Sequence, residues 1–252
     1  MSDTIEIAGE TAAGFVGVRD AFAANFHRQG DYREVGAAMA VYHRGVLVAD
    51  LWGGFANRAR TRPWRRDTLV NVWSATKAVT ATAVAQLVDR GRLSYDDAVA
   101  SVWPEFGAAG KGAVTVAQVL SHQAGLPGFA EPTSIEDQFD WQGCVAKLAR
   151  QAPAWPPGTA SSYHAMTFGW LAGEIVRRVD GRSLGRYVAE EIAGPLGADI
   201  HIGLPQALEA RVAEILGPKT PPDPAAVAQL PPAALMALVN PAQDPEAPNA
   251  RA

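Results

Sequence analysis

The 252-residue sequence contains a single cysteine, Cys144. A lone cysteine excludes an intramolecular disulfide and a zinc site made of several cysteines. Its neighbours are small or apolar, so we expect Cys144 to be a small buried side chain.

Long apolar stretches are also missing. The sequence has no run of about 18 apolar residues, the length that a membrane-spanning helix needs. Its first residues, Met1–Ile7, lack the basic region and apolar core of a signal peptide. We therefore predict a soluble, cytoplasmic protein with no membrane partner.

A concentrated basic surface is absent as well. The net charge is −4, the arginines are scattered, and their densest group, Arg58–Arg66, has the composition of a solvated loop. This distribution argues against nucleic acid as the main partner. With 48% hydrophobic residues, the chain can bury a sizeable core in one large or two small domains.

The stretch Val72–Thr80 leads directly into a helical pattern. Within it, Ser74 and Lys77 are three residues apart, so on a helix of about 3.6 residues per turn their side chains share one face. A serine hydroxyl needs an adjacent base to attack a carbonyl carbon, and a neutral lysine can be that base. The positive end of the helix dipole favours the neutral form of the lysine, and it also stabilises the oxyanion that develops on the substrate. The spacing thus predicts a nucleophile helix.

The same S-x-x-K spacing has a plainer explanation. With nine serines and four lysines in the chain, it is expected by chance about 0.14 times. A serine that caps a helix, followed one turn later by an exposed lysine, would give the same letters. The motif alone leaves both interpretations open.

Hydrophobic periodicity predicts several helices and one hairpin. Two β-prone runs flank His43-Arg44-Gly45, where glycine suits a hairpin turn. The predicted strands are Ala37–Tyr42 and Val46–Trp52. The predicted helices are Phe15–Phe26, the nucleophile helix up to Gly91, Thr115–Leu120, Trp141–Arg150, Phe168–Val179, Ser183–Ile192 and Leu204–Leu216.

The composition changes at Pro218, and half of the 18 prolines lie from this residue onward. We therefore assign residues 1–217 to one domain and residues 218–252 to a loop-like segment rich in proline and alanine. A short helix at Pro232–Val239 is the one element that we expect there.

Two further side chains lie where a catalytic group could be placed. Tyr163 comes between a Pro/Gly loop and a helix, and a phenol beside a lysine can relay a proton; a half-buried tyrosine bonded to backbone is the alternative. His122, at a helix end, suits a base or metal ligand, or else a cap or packing residue. The residues alone decide neither case.

Four segments of the chain follow one known pattern in order and rough spacing. They are Trp73–Lys77, Gly91–Asp97, Val119–Pro127 and Pro157–Tyr163. Together they resemble the serine β-lactamase-like superfamily, and most closely its class C β-lactamase and family VIII carboxylesterase branch. The resemblance covers roughly residues 35–205.

The resemblance implies an α+β fold (an α/β sandwich), with an antiparallel sheet flanked by helices plus an all-helical region. By the same resemblance, Ser74 is the acylated nucleophile, Lys77 its general base or proton shuttle, and Tyr163 the second proton-transfer group. It implies acyl transfer through an acyl-enzyme, with no metal or organic cofactor.

Two departures from the family pattern matter. The family's tyrosine motif is commonly Y-x-N, whereas here it is Tyr163-His164-Ala165. The missing amide argues against β-lactam or peptidoglycan substrates and favours esters; we expect His164 to pack or to face solvent.

The second departure is a third motif, a K-T-G or H-x-G triplet on a later strand of the family. Lys219-Thr220-Pro221 cannot replace it, because proline can neither take the place of the close-packed glycine nor donate to a central strand ladder. We therefore expect a truncated form of the family domain, with an incomplete sheet and weakened or absent activity.

Together these features predict a serine hydrolase of esterase type that acts on a small-molecule ester or amide. A β-lactamase or D-alanyl carboxypeptidase is the alternative within the same chemistry, and a catalytically inactive binding or regulatory module is the alternative outside it. Three aromatic residues can either line the substrate pocket or pack in the core: Trp73, Trp155 and Phe168. The oligomeric state stays open.

Overall fold

The structure is a computed structural model that describes residues 5–30 and 33–217, together with the isolated positions 225 and 229. The described residues form two compact units. The sheet unit contains residues 5–71 and 205–217, and the helical unit contains residues 72–204.

The sheet unit is built on three antiparallel strands: β1 (Ile7–Thr11), β2 (Gly36–His43) and β3 (Val46–Gly54). Their order is β1-β3-β2. The predicted hairpin is confirmed: Arg44 and Gly45 have φ angles of 51° and 78°, as a two-residue turn of the I′ type requires. Strand β1 was not predicted.

One helix covers a face of this sheet. Helix α1 (Val16–Asn25) confirms the predicted helix, and its Phe22 packs with Phe26, Ala49 and Leu51 in one buried cluster. This apolar contact gives the small sheet a core of its own.

The predicted helix Leu204–Leu216 is wrong. The segment forms only a 3-10 turn, Gln206–Arg211, and then runs extended, with Val212 in a parallel bridge to Leu69. The Arg62 guanidinium donates hydrogen bonds to Ala210 O at 2.7 Å and to Val212 O at 2.5 Å. These long-range bonds occupy carbonyl oxygens that would accept the backbone N–H groups of the next turn if the helix continued.

The helical unit contains the remaining helices. A 3-10 turn, Trp73–Ala75, leads into the second helix, and a π-helical turn, Ala189–Ala193, joins the last two. The helices are α2 (Thr76–Asp89), α3 (Val116–Leu120), α4 (Ile135–Gln138), α5 (Trp141–Arg150), α6 (Thr167–Asp180), α7 (Leu184–Val188) and the single turn α8 (Gly194–Leu196). Apart from α4 and α8, each corresponds to a predicted helix.

Packing of α2 against α6 positions the candidate site. Val84 and Leu87 of α2 lie in the same buried cluster as Leu171 and Ile175 of α6. Because both helices begin at the same end of this contact, Lys77 in the first turn of α2 faces the first turn of α6.

A second lysine lies inside the helical unit. Lys111 is completely buried, and its ammonium donates hydrogen bonds to the carbonyl oxygens of Ala108 (2.9 Å), Ala149 (3.0 Å) and Gln151 (2.5 Å). Its nitrogen also lies 5.3 Å from the centroid of the Phe106 ring. Burial lowers the pKa of Lys111. The side chain thus ties the loop before α3 to the end of α5.

The expected α+β class, with helices and a small open antiparallel sheet, is confirmed. The boundary at residue 217 stays a prediction, and the helix predicted at Pro232–Val239 lies outside the described residues. None of the helices in the described ranges has both the length and the apolar character needed to cross a membrane.

Candidate active site

Ser74 lies at the entrance to α2, in the 3-10 turn that precedes it, and its side chain is exposed. Trp73 before it has a φ of 48°, a left-handed conformation that residues other than glycine rarely adopt. The N-terminus of a helix carries the positive end of its dipole. Negative charge that develops next to Ser74 is therefore favoured by this dipole.

Lys77 lies one turn further along and faces Ser74, as the spacing predicts. Its Nζ donates to Ser74 Oγ at 3.0 Å and to the carbonyl oxygen of Ala165 at 2.8 Å. The second bond holds the ammonium in place, since the long lysine side chain otherwise has many rotamers. The structure therefore places a basic side chain directly on the serine hydroxyl.

Tyr163 completes the cluster. Its hydroxyl donates to Ser74 Oγ at 2.5 Å, and Lys77 Nζ lies 4.8 Å from the centroid of its ring. Burial alone would raise the pKa of Tyr163, but hydrogen bonding with Ser74 and Lys77 and the charge of Lys77 together lower it. The structure thus brings together all three predicted site residues, Ser74, Lys77 and Tyr163.

Three aromatic side chains are candidates for the lining of the pocket. Phe168 is buried, and its ring faces Lys77 Nζ with 5.7 Å between the nitrogen and the ring centroid. Trp155 is partly buried and donates its Nε1–H to Ala160 O at 3.0 Å. Trp73 is 44% exposed and is the one of the three with a large open surface beside Ser74.

The residues at the second and third positions of the tyrosine motif have different contacts. His164 is completely buried, so of the two expected positions, packed or facing solvent, the structure shows the first. Its Nε2 accepts the N–H of Leu126 at 3.1 Å, so its proton is on Nδ1, which lies 2.6 Å from Ser162 O. Ala165 has no polar side chain, and its backbone carbonyl accepts a hydrogen bond from Lys77 Nζ.

His122 packs against the site instead of entering it. Its ring lies edge-on to that of Tyr163, with 4.9 Å between centroids, and its Nδ1 accepts the N–H of His164 at 3.2 Å. Among the described residues, no group of three or more histidine, cysteine, aspartate or glutamate side chains could hold a metal ion. Of the two alternatives for His122, the geometry favours a packing residue.

Sequence reasoning missed two features of the site. The carbonyl of Ala165 carries no sequence signal, because any residue presents the same oxygen. The contact between the two histidines is long-range in sequence and could be found only from the fold. Lys219-Thr220-Pro221 lies outside the described residues.

This arrangement can perform one type of chemistry. A primary hydroxyl at a helix N-terminus lies within hydrogen-bond distance of both a lysine nitrogen and a tyrosine oxygen. Such a hydroxyl can lose its proton to one of these neighbours as it attacks an electrophilic carbon.

Comparison with known proteins agrees with this chemistry. The Beta-lactamase family model matches residues 22–244. The Esterase/beta-lactamase LipL of Mycobacterium tuberculosis is 44% identical over 186 residues, which cover 73% of this chain and 43% of that protein. The chain spans about half the length of the curated relatives it matches.

Solved structures share the fold. A penicillin-binding protein homologue from Caulobacter crescentus has a TM-score of 0.87 at 48% identity, over 97% of this chain and 64% of that one. A family VIII carboxylesterase has a TM-score of 0.80 at 52% identity, over 84% and 57% of the two chains. The resemblance predicted from the motifs is confirmed, and the chain belongs to the beta-lactamase family.

Proposed function

We propose that this chain carries the acyl-transfer centre of a serine hydrolase that cleaves small carboxylic esters. The observation that carries the proposal is the position of Ser74 Oγ, which lies 3.0 Å from Lys77 Nζ and 2.5 Å from the hydroxyl of Tyr163. Both distances permit direct proton transfer.

The first step of the proposed reaction is attack of Ser74 Oγ on the ester carbonyl carbon. As the new C–O bond forms, the serine proton passes to Lys77 or Tyr163, whichever is deprotonated, and the carbonyl oxygen becomes an oxyanion. The positive end of the α2 dipole, which lies beside Ser74, stabilises that charge.

Collapse of the tetrahedral intermediate breaks the bond to the alcohol oxygen. The proton held by Lys77 or Tyr163 passes to that oxygen, so the alcohol leaves neutral and Ser74 stays acylated. In the second half of the reaction, water attacks the acyl carbon and gives its proton to Lys77 or Tyr163. That proton then passes to Ser74 Oγ as its bond to the acyl carbon breaks, which releases the acid and restores the serine. No metal or organic cofactor enters the proposed cycle.

Ala165 favours esters over amides as substrates. At this position the chain presents a methyl group and a carbonyl that is already bonded to Lys77, so no side-chain amide is present to hold the amide group of a β-lactam or peptide. Relatives named esterases, such as EstB of Burkholderia gladioli at 31% identity, support the same substrate class.

Hydrolysis of a β-lactam is the second candidate. The same nucleophile can attack a strained lactam carbonyl, and the printed name of LipL joins esterase with beta-lactamase. The experiment must therefore offer both substrate classes to one protein.

The test is intact-protein mass spectrometry after incubation with short-chain p-nitrophenyl esters and, separately, with a chromogenic cephalosporin. We expect a serine-dependent acyl mass with the esters that is absent in Ser74→Ala. Ser101→Ala, a change at another exposed serine, is the matched control and should keep the adduct. An adduct with the cephalosporin alone would assign the second candidate, and equal ester acylation of Ser74→Ala would refute both.

A further inference from the structure

Two histidines enclose the backbone on both sides of Tyr163. On the N-terminal side, the N–H of Ser162 donates to His122 O at 3.2 Å, and Ser162 O lies 2.6 Å from His164 Nδ1. On the C-terminal side, the N–H of His164 donates to His122 Nδ1 at 3.2 Å. The backbone on both sides of the tyrosine is therefore held by the rings of the two histidines and by the carbonyl oxygen of His122.

The histidines also fix the direction of the tyrosine ring. The His122 ring contacts the rings of Tyr163, His164 and Phe168, with centroid distances of 4.9, 5.5 and 5.3 Å. It thus fills the space between the tyrosine and the first turn of α6. Tyr163 is 47% exposed, and the contact of its inner edge with the His122 ring restricts it to one orientation.

The backbone of His122 is itself in an uncommon conformation. Its φ is 62°, in the left-handed region that costs a residue with a Cβ roughly 1 kcal/mol. The surrounding structure must hold it there, through the bonds that His122 makes to residues 162 and 164. Such local strain is concentrated at functional sites in proteins.

The hydrogen bonds require both rings to be neutral, because each uses a ring nitrogen to accept a backbone N–H. Burial lowers the pKa of His164 to about 4. Burial and then the charge of Lys77 lower the pKa of His122. The groups that face His122 are Lys77 from α2, Tyr163 and His164 from the loop, and Phe168 from α6. None of them is an acid that would favour protonation of the ring.

We propose that His122 and His164 are positioning residues, which hold the Tyr163 hydroxyl on Ser74 Oγ without touching the substrate. The proposal rests on the proposed function for its catalytic consequence. Displacement of a reacting group by about 1 Å can cost about 10²-fold in rate, so loss of the pair should slow acylation strongly while Ser74 and Lys77 remain.

The test compares two substitutions of one residue. His122→Ala removes the acceptor and the ring. His122→Asn removes the ring but keeps a side-chain oxygen as acceptor, and asparagine tolerates positive φ better than most residues. The matched control is His201→Asn, at a histidine whose Nε2 bonds to Asp199 at 2.7 Å. If His122→Ala does not fold by circular dichroism, His122→Phe takes its place, since it also lacks the acceptor.

The first readout is the ionisation of Tyr163, measured by phenolate absorbance as each protein minus its Tyr163→Phe counterpart. We expect His122→Ala to shift the pKa of Tyr163 upward, because the phenol moves away from Ser74 and Lys77, and His122→Asn to shift it less. The second readout is the rate of fluorophosphonate labelling, which should fall about 10²-fold in His122→Ala and recover at least in part in His122→Asn.

An unchanged Tyr163 titration in His122→Ala, or a labelling rate in His122→Asn as low as in His122→Ala, would overturn the proposal. The two readouts also separate the hypotheses. If the unsubstituted protein is not labelled at Ser74, the proposed function fails, whereas the titration still decides whether the histidines position the tyrosine.

Discussion

Two lysines of the helical unit have opposite surroundings. Lys111 is completely buried and bonds to three backbone carbonyls. Lys77 is only partly buried and bonds to one carbonyl and to the Ser74 hydroxyl. Each also faces a phenylalanine ring, Phe106 for Lys111 and Phe168 for Lys77.

The difference fits the proton-transfer role that we propose for Lys77. A carbonyl oxygen can accept a hydrogen bond but cannot exchange a proton at ordinary pH, so the surroundings of Lys111 can only hold it. Lys77 shares a hydroxyl that can give up its proton, and that hydroxyl is open to solvent. The surroundings of Lys111 therefore indicate a structural role. Those of Lys77 favour proton transfer, because its partner is an accessible hydroxyl.

Among the substitutions that test this comparison, Lys77→Met should have the largest effect on the acylation rate. Loss of a positioned proton-transfer group should lower the rate of Ser74 acylation about 10³-fold. The free energy of unfolding should change by less than about 1 kcal/mol, because the side chain is partly exposed. Mass spectrometry of samples quenched at successive times measures the acylation rate, and urea unfolding measures the stability. Acylation at the original rate would show that Tyr163 alone accepts the proton.

The converse is expected from Lys111→Met. Three carbonyl oxygens would lose their donor in a buried place, which should lower the free energy of unfolding by about 3 kcal/mol. The folded fraction should still be acylated at Ser74 at the original rate. A stable variant with lost acylation would contradict the structural assignment of Lys111.

The pH dependence of acylation sharpens the role of Tyr163. Its pKa is lowered, so the phenolate, which is the form that can accept the Ser74 proton, becomes populated at a lower pH than for an ordinary tyrosine. The acylation rate should therefore rise with pH and level off below the usual tyrosine pKa of about 10. In Tyr163→Phe the rate should fall about 10²-fold and this rise should disappear. A rise that persists unchanged in Tyr163→Phe would assign it to another group.

The smallest effect is expected from the paired changes Phe106→Leu and Phe168→Leu. Each should cost about 1 kcal/mol of stability, since both rings are buried and leucine fills most of the space. Only Phe168→Leu should also change the acylation rate, by about threefold, because its ring faces Lys77. A rate change in Phe106→Leu of the same size would remove the distinction between the two lysines.

Much of the helical unit could be predicted from the sequence. Helix α5 has its predicted bounds, Trp141–Arg150, because its apolar residues repeat at helical spacing. The Thr115 capping box with Gln118 marks the start of α3. Local signals of this kind need no knowledge of distant residues.

The misses have a physical cause in common. Strand β1 is short and contains Gly9 at a φ of 91°, so its pairing with β3, not its own composition, makes it a strand. The segment after Leu204 has helical periodicity but is held extended by Arg62 and Leu69. Long-range contacts decided both segments.

The site divides in the same way. The proximity of Ser74 and Lys77 follows from helical spacing, which is local. The resemblance supplied Tyr163, and the structure alone supplied the contacts of Ala165 O and of the two histidines. These contacts depend on the packing of α6 against both α2 and α3, which no short stretch of sequence encodes.

Fluorophosphonate labelling followed by peptide mapping tests the central claim most directly. An activated serine forms a covalent phosphonyl adduct, and mapping locates it among the nine serines. We predict one adduct per chain, on Ser74, absent in Ser74→Ala and retained in Lys111→Met. An unlabelled but folded protein, or an adduct on another serine, would contradict the account and leave the Ser74 cluster as structure alone.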